Sequence, residues 1–327
     1  MKRIYILIPE GDCSLTHIEA THQILSHVNV FLASLERPFL FSIKLVALNK
    51  NHAIKKGLFS VYPDLLIQDT EQASLVIIPA IQGDIHKALQ ANQAFIPWLV
   101  RQYNGGAEIA SLCIGTFLLA STGLLDGRQC TTHWSAATKF TTMFPDAILL
   151  PDKIITDDSG IYCSGGALSF QNLVVYLIEK YAGRDIAILA SKTFMIDIDR
   201  DSQSPFIIFK GQKAHDDEPI GKAQEFIEKN FGEKLSVDQL VAMAAVSRRN
   251  FERRFKKATS NSIIEYIQRV RIEAAKKSLE SSRMNVNEVM YNVGYTDMKA
   301  FRTTFKRITG LSPVEYRNKY NPRMMVV

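Results

Sequence analysis

Residues 236–260 read SVDQLVAMAAVSRRNFERRFKKATS, and residues 285–310 read NVNEVMYNVGYTDMKAFRTTFKRITG. Each stretch holds a short apolar segment, a tight turn, and a segment with phenylalanines on one side and cations on the other. That order is a helix-turn-helix pattern, and the chain carries it twice. At about 100° per residue, Phe251, Phe255 and Ala258 fall on one narrow stripe suited to packing. Arg249, Glu252, Arg253 and Lys256 fall opposite. In the second copy Phe301, Phe305 and Ile308 make the stripe, and Lys299, Arg302, Thr303 and Lys306 point the other way. An α-helix fits the major groove of B-DNA, where Arg and Lys read guanine edges or hold phosphates. Two basic faces at equivalent positions therefore predict a partner of double-stranded DNA.

The boundaries agree with this reading. Ser247 precedes the first basic helix and Asp297 lies in the first turn of the second, both suited to a helix N-terminus. Gly294 sits in the second turn, where a positive φ is often needed. Gly310 stops the second helix and Pro313 opens another short helical piece. Between the copies runs SIIEYIQRVRIEAAKKSLESS, residues 262–282, with Ile263, Ile264, Ile267, Val270, Ala274 and Leu279 at a helical period. About 20 residues at 1.5 Å give a rod of roughly 30 Å. That length is close to the ~34 Å between successive major-groove faces.

Residues 220–320 resemble the DNA-binding domain of the AraC/XylS family of transcription regulators. The resemblance rests on VSRRNFERRFKKATS, the RVRIEAAKKSLE linker helix, NVGYTDMKAFRTTFKRITG and the closing LSPVEYR. It implies Arg249, Glu252 and Arg253 as readers in the first copy, and Met298, Lys299, Arg302 and Thr303 in the second. Met298 comes from the resemblance alone. The other residues also lie on the face that the helical period exposes.

Charge points the same way. Residues 217–327 hold 21 Lys and Arg against 13 Asp and Glu, whereas residues 1–216 hold 18 against 20. The basic excess of the whole chain, 39 against 33, thus sits in the C-terminal part, as expected if phosphates are its partner. A composition 46% hydrophobic and 22% charged excludes disorder, and 327 residues suggest two domains. The opening MKRIYILIPEGD holds about six apolar residues, short of the roughly 7–15 of a signal peptide. Residues 109–125 are uncharged but carry Ser, Thr and Gly throughout, and read as strand, turn and helix rather than a membrane span. Cysteines at 13, 113, 130 and 163 show neither zinc spacing nor short-range pairing. His17, His22 and His27 turn by about 140° per step and share no helical face. A cytoplasmic, reduced protein with no metal, no cofactor and no membrane partner is expected.

The first 200 residues alternate. RIYILIP (3–9), FSIKLVALN (41–49), SLVIIPA (74–80) and EIASLC (108–113) read as buried strands, with helical stretches at about 17–35, 84–103 and 115–122. This rhythm predicts an α/β domain with an open, mostly parallel sheet flanked by helices. Ligands of such folds bind at the carboxyl ends of the strands. There SLCIG, residues 111–115, turns a strand into a helix with Cys113 at the apex. The arrangement is that of a nucleophile elbow, and a nearby helix N-terminus favours thiolate. A small buried apolar cysteine is the competing reading.

Residues 1–195 resemble the ThiJ/PfpI superfamily, also called class I glutamine-amidotransferase-like, in the branch fused to AraC-type domains. SLCIGTFLLASTGLLDG, TTHW (131–134) and IYCSGGALSFQNLVVYLIEKYAG (161–183) carry the resemblance. Enzymes of the superfamily commonly follow the elbow cysteine with His and use an acid from the first strand–helix loop. Here Ile114 follows Cys113, the acid's place falls near Thr16, and Glu19 is displaced. His133 is the one plausible base, and the resemblance places it in a pocket wall. The chain is therefore read as a regulator and not an enzyme, with no catalytic residue. An active cysteine hydrolase or amidase tethered to DNA is the alternative, and redox sensing by Cys113 is a weaker one. The expected organisation is a sensor domain over 1–195, a polar linker over 196–219, and an all-α DNA-binding domain with two helix-turn-helix units over 220–327. A small-molecule pocket lined by Cys113, Ile114, His133, Trp134, Ser164, Gly165 and Gly166 is expected at the strand ends, and a homodimer through the N-terminal domain.

Overall fold

The computed structural model describes the whole chain except residues 51, 55–57, 214 and 322–327. The last six residues of the expected DNA-binding domain thus lie outside the described part. The chain divides into two compact units, Met1–Gln203 and Ser204–Val327.

Unit 1 contains the strands β1 (Lys2–Ile8), β2 (Phe41–Ala47), β3 (His52–Ile54), β4 (Phe59–Val61), β5 (Leu65–Leu66), β6 (Leu75–Ile78), β7 (Glu108–Leu112), β8 (Gln129–Cys130), β9 (Ile148–Leu149), β10 (Ile155–Asp158) and β11 (Ile161–Ser164). Its helices are α1 (Leu15–Ser34), α2 (Ile85–Ala91), α3 (Phe95–Asn104), α4 (Thr116–Ala120), α5 (Ala137–Met143), α6 (Phe170–Ala182) and α7 (Arg184–Phe194). Seven strands form one sheet in the order β10-β11-β7-β6-β1-β2-β5. Its pairings are parallel except that of β10 with β11, which is the open, mostly parallel sheet expected. Strand β1 shows why the sheet is buried on both faces. Ile4, Ile6 and Ile8 enter one core cluster, and Tyr5 and Leu7 enter the other. A near-continuous apolar run with period-2 alternation between two cores is what a sheet covered by helices demands.

The single helix expected over 84–103 is two helices. Asn92, fully buried, is the C-cap of α2. Its amide donates to the Glu10 and Ala88 carbonyls and accepts from the Glu10 amide at 2.8 Å. Those bonds tie the break to the loop after β1.

Unit 2 is helical: α8 (Glu218–Lys229), α9 (Val237–Ala244), α10 (Arg248–Thr259), α11 (Ile263–Ser281), α12 (Val286–Asn292), α13 (Met298–Thr309) and α14 (Pro313–Tyr320). It has two small cores. Ile220, Ile227, Leu240, Phe251 and Phe255 build the first, and Val289, Met290, Phe301, Phe305 and Tyr316 build the second. The spacer α11 feeds both, giving Ile263, Tyr266 and Ile267 to the first and Ile272, Ala275 and Leu279 to the second. Of the apolar positions read from its period, Ile264 faces solvent instead. Tyr266, Ile272 and Ala275 carry packing that the pattern did not single out.

The stretch expected as a linker is anchored along much of its length. Ile196 belongs to a core of unit 1 and Gln203 is buried there. In unit 2, Phe209 packs on the first core. The buried Lys276 donates to the Ile207 carbonyl at 2.6 Å and to Glu273 at 2.8 Å. Glu273 in turn accepts from the Phe209 amide.

Candidate functional site

In unit 2, α9 and α10 are joined through Ala245 in the left-handed region, and α12 and α13 through Gly294 at φ +81°. A Cβ on Gly294 would lie 2.8 Å from the Phe231 carbonyl, so glycine is required there for space as well as for conformation. Phe251, Phe255, Phe301 and Phe305 are fully buried. Opposite them Arg249, Glu252, Arg253 and Lys256 of α10 are exposed, as are Lys299, Arg302, Thr303 and Lys306 of α13. Met298 is half-buried and packs against the second core, so its side chain is the one expected reader that is partly committed to packing.

The caps refine the sequence reading. Asp297 is the N-cap of α13 and accepts from the Ala300 amide at 2.6 Å. Ser247 holds the N-cap position of α10, but its side chain makes no capping bond. Helix α11 opens with a capping box from Ser262 and Glu265, and α14 with one from Ser312 and Glu315. Some cations are spent inside the protein. Arg254 grips Asp217 with two bonds at 2.6 and 2.9 Å. Arg248 bonds Asp238 and Glu252, and Arg253 bonds Asn250 at 3.1 Å.

In unit 1 the register places Leu112 beside Ser164, and Ile78 beside Ser111. Cys113, Gly165 and Pro79 thus follow the carboxyl ends of three adjacent parallel strands. Cys113 has φ +55°, the strained turn of an elbow in a non-glycine residue. The turn is held from all sides. Thr116 and Thr132 donate their hydroxyls to the Cys113 carbonyl at 3.0 and 2.9 Å. A Cβ on Gly115 would lie 2.6 Å from the Ile78 and Pro79 carbonyl oxygens.

Burial works against a thiolate at that turn. Cys113 is buried, and burial pushes its thiol up to about 11, against a smaller downward pull from the Ile114 amide. The thiolate expected from a helix N-terminus is not favoured, because the helix after the turn, α4, has only five residues and desolvation outweighs it. Cys13 and Cys130 are likewise raised, to about 12, chiefly by burial. Thr16 and Glu19 are exposed. His133 is half-buried, and burial lowers its pKa. Its Nδ1 is engaged by the Ser135 amide and hydroxyl at 3.2 and 2.8 Å.

The Cys113, His133–Trp134 and Gly165 segments are linked through Thr132 and Gln203. Trp134 is half-buried beside His133, and Ile114 packs partly into the core. Ser164 is buried and its hydroxyl finds no partner among the described residues. Gly165 is approached closely, but by a side chain of the chain itself. A Cβ there would fall 2.0 Å from Gln203 Nε2, and one on Gly166 2.8 Å from Ser169 Oγ. Sequence reasoning missed Gln203, which lies in a polar stretch with no periodic signal.

It also missed His17. That ring is buried, sits 4.5 Å from the Phe170 ring, and has both nitrogens engaged. The Ala80 amide donates to Nδ1 at 3.2 Å, and Nε2 lies 2.9 Å from the Ala167 carbonyl. Burial lowers its pKa, partly offset by the Ala167 carbonyl, which fits a neutral ring carrying its proton on Nε2. Among the described residues no group of three or more His, Cys, Asp or Glu could hold a metal ion. No helix among them is long and apolar enough to cross a membrane.

An α/β unit with an elbow at its strand ends, followed by a doubled helix-turn-helix, defines a DNA-binding regulator of transcription. A family model described as the DJ-1/PfpI family matches residues 3–179, and one described as a helix-turn-helix domain matches residues 240–319. The chain belongs to the DJ-1/PfpI family, joined here to an AraC-type helix-turn-helix domain. It is similar to the HTH-type transcriptional regulator GbdR of Pseudomonas aeruginosa, 25% identical over 251 residues that cover 76% of this chain and 68% of that protein. It is also similar to the HTH-type transcriptional regulator GlxA of Rhizobium meliloti, 24% identical over 65% of this chain and 66% of the relative. The fold is shared with an AraC family transcriptional regulator from Pseudomonas putida, at a TM-score of 0.51 and 15% identity, over 59% of this chain and 100% of that one.

Proposed function

We propose that the second unit reads a specific duplex sequence through Arg249, Glu252, Arg253 and Lys256 of α10 and Met298, Lys299, Arg302, Thr303 and Lys306 of α13. The first unit is the sensor, and a small molecule taken up at the elbow end controls it. One observation carries the first half: two helices at equivalent positions bury a phenylalanine stripe and expose a basic face. The sensor half is supported by the convergence of the Cys113, His133–Trp134 and Ser164–Gly166 segments at the strand ends, and by the orphaned Ser164 hydroxyl. Exposed apolar side chains at Val30, Leu35 and Phe39 support pairing of two copies through this unit.

Catalysis is not part of the proposal, because burial raises the pKa of the elbow thiol, Thr16 stands where the acid is expected, and Glu19 is exposed on α1. Cys113→Ser should leave DNA binding unchanged, and the wild-type chain should hydrolyse neither simple amides nor esters. Turnover that disappears in Cys113→Ser would replace the sensor by an enzyme. The regulatory reading is tested by selecting duplexes from random sequence with the full chain, with and without candidate metabolites. Enrichment of one motif, changed by at least one metabolite, is expected. Retention that depends on salt alone and enriches nothing would defeat it.

A further inference from the structure

Unit 2 holds a cavity of about 670 Å³ along the C-terminal half of α11. That lies within the range of about 300–1,000 Å³ usual for small-molecule sites. The cavity sits where the two small cores meet. Of its lining, Phe209 and Val270 pack on the first core, and Phe231, Ala274 and Val293 pack on the second. Its flanking segments are tied to α11 by hydrogen bonds. On one side the Phe209 amide donates to Glu273 at 3.1 Å, and Lys276 donates to the Ile207 carbonyl at 2.6 Å. On the other, Arg271 donates to the Phe231 and Glu233 carbonyls at 2.9 and 2.8 Å. The walls are thus fixed by the fold rather than left open by a loose loop.

The charges in the lining do not balance. Two carboxylates border the cavity, and each is answered from within the protein. Glu228 accepts from Lys213 at 2.6 Å and from the Tyr266 hydroxyl at 2.7 Å. Glu273 accepts from Lys276 at 2.8 Å and from the Phe209 amide. Two ammonium groups also border it, Lys210 before α8 and Lys277 on α11. Both are exposed, and among the described residues neither has an ion-pair or hydrogen-bond partner. An apolar surface with two unopposed positive charges remains. A cation finds no free carboxylate there, and a bare inorganic anion leaves the phenylalanines wet.

We propose that this cavity takes an organic carboxylate with an apolar body, the body against Phe209, Phe231, Val270 and Val293 and the carboxylate toward Lys210 and Lys277. The apolar contact supplies most of the affinity, and the lysines select the sign of the ligand's charge. Such an occupant touches both small cores, and hence both helix-turn-helix copies, without involving the elbow end of unit 1. The site is therefore independent of the sensor reading above.

Titration calorimetry of the full chain tests this with two probes, cinnamate and cinnamylammonium, which share a body and differ in charge. Cinnamate should bind and cinnamylammonium should not. Inorganic phosphate should not displace cinnamate. The double variant Lys210→Glu, Lys277→Glu alters only exposed side chains, and should weaken cinnamate roughly tenfold or more while admitting cinnamylammonium. Ala274→Phe puts a ring into the cavity and should abolish binding of both probes. If Ala274→Phe does not fold, the double variant decides alone. Cinnamate that binds the double variant as tightly as the wild type, or that still binds Ala274→Phe, is held elsewhere and overturns the site. No cinnamate binding by the wild type, equal binding of both probes, or displacement by phosphate would overturn it as well.

Discussion

In unit 2, Thr259 and Thr309 hold equivalent places at the ends of α10 and α13. Each is buried and gives its hydroxyl to the carbonyl four residues back, Phe255 or Phe305, at 2.8 Å. Each also meets the carbonyl two residues on, Asn261 or Leu311. A serine capping box follows both. In unit 1, the turn at Cys113 keeps the strained backbone and the threonine supports of an elbow, while its thiol is desolvated and its acid is missing. The duplicated unit has kept both its packing side and its exposed side. The elbow has the backbone geometry of a nucleophile's turn, while burial raises the pKa of its thiol. Geometry and reactivity are separable, because a turn is fixed by local bonds whereas a thiolate needs compensated charge.

Within unit 2 the copies also differ. Arg253 is held by Asn250, whereas among the described residues no hydrogen bond or ion pair engages Arg302. The largest effects on DNA binding are therefore expected from α13. Arg302→Ala should cost roughly 1–3 kcal/mol on a selected site and relax preference at one base pair. Arg253→Ala should cost less within that range, because its bond to Asn250 has to be exchanged for one to DNA. Lys256→Ala should weaken binding evenly across sequences and lower the salt slope by about 1. Titrations on matched and shuffled duplexes at several salt concentrations give both quantities.

The C-caps differ too. Gly310 ends α13 with φ +75°, whereas Ser260 ends α10 with φ +56°. A side chain in the left-handed region costs about 1 kcal/mol. Gly310→Ala should thus destabilise, and Ser260→Gly should stabilise, by about that amount in denaturant unfolding. Equal signs for the two would show that the caps are not equivalent.

A smaller, pH-dependent effect belongs to unit 1. The folded-state pKa of His17 lies below its ordinary 6.5 because the ring is buried. Its contribution to stability is present above the unfolded value and is lost as the pH falls through the folded one. Unfolding free energy should decline below about pH 6.5, and His17→Gln should flatten that decline. An unchanged slope would mean that the ring is solvated.

Much of this was legible because periodicity reports burial directly. The phenylalanine stripes, the basic faces and the strand rhythm each follow from a repeat of 3.6 or 2 residues. The elbow was legible from SLCIG because a small-residue turn between strand and helix has few alternatives. The thiol's state was not, since Cys113 is buried by the packing of the whole unit, which the residues of the turn do not reveal. Gln203 was invisible for a related reason. Its four acceptors come from 50 or more residues away, and nothing in DIDRDSQSPF marks one polar side chain for burial. The break at Asn92 has the same origin in a contact 82 residues distant.

The central claim is that both exposed helix faces of unit 2 read one DNA site. Footprinting of the full chain on its selected duplex tests it most directly, with Arg253→Ala and Arg302→Ala beside the wild type. Two protected segments about one helical turn, 10–10.5 bp, apart are expected, with Arg253→Ala weakening one and Arg302→Ala the other. A single protected segment, or two segments that neither substitution changes, would contradict it.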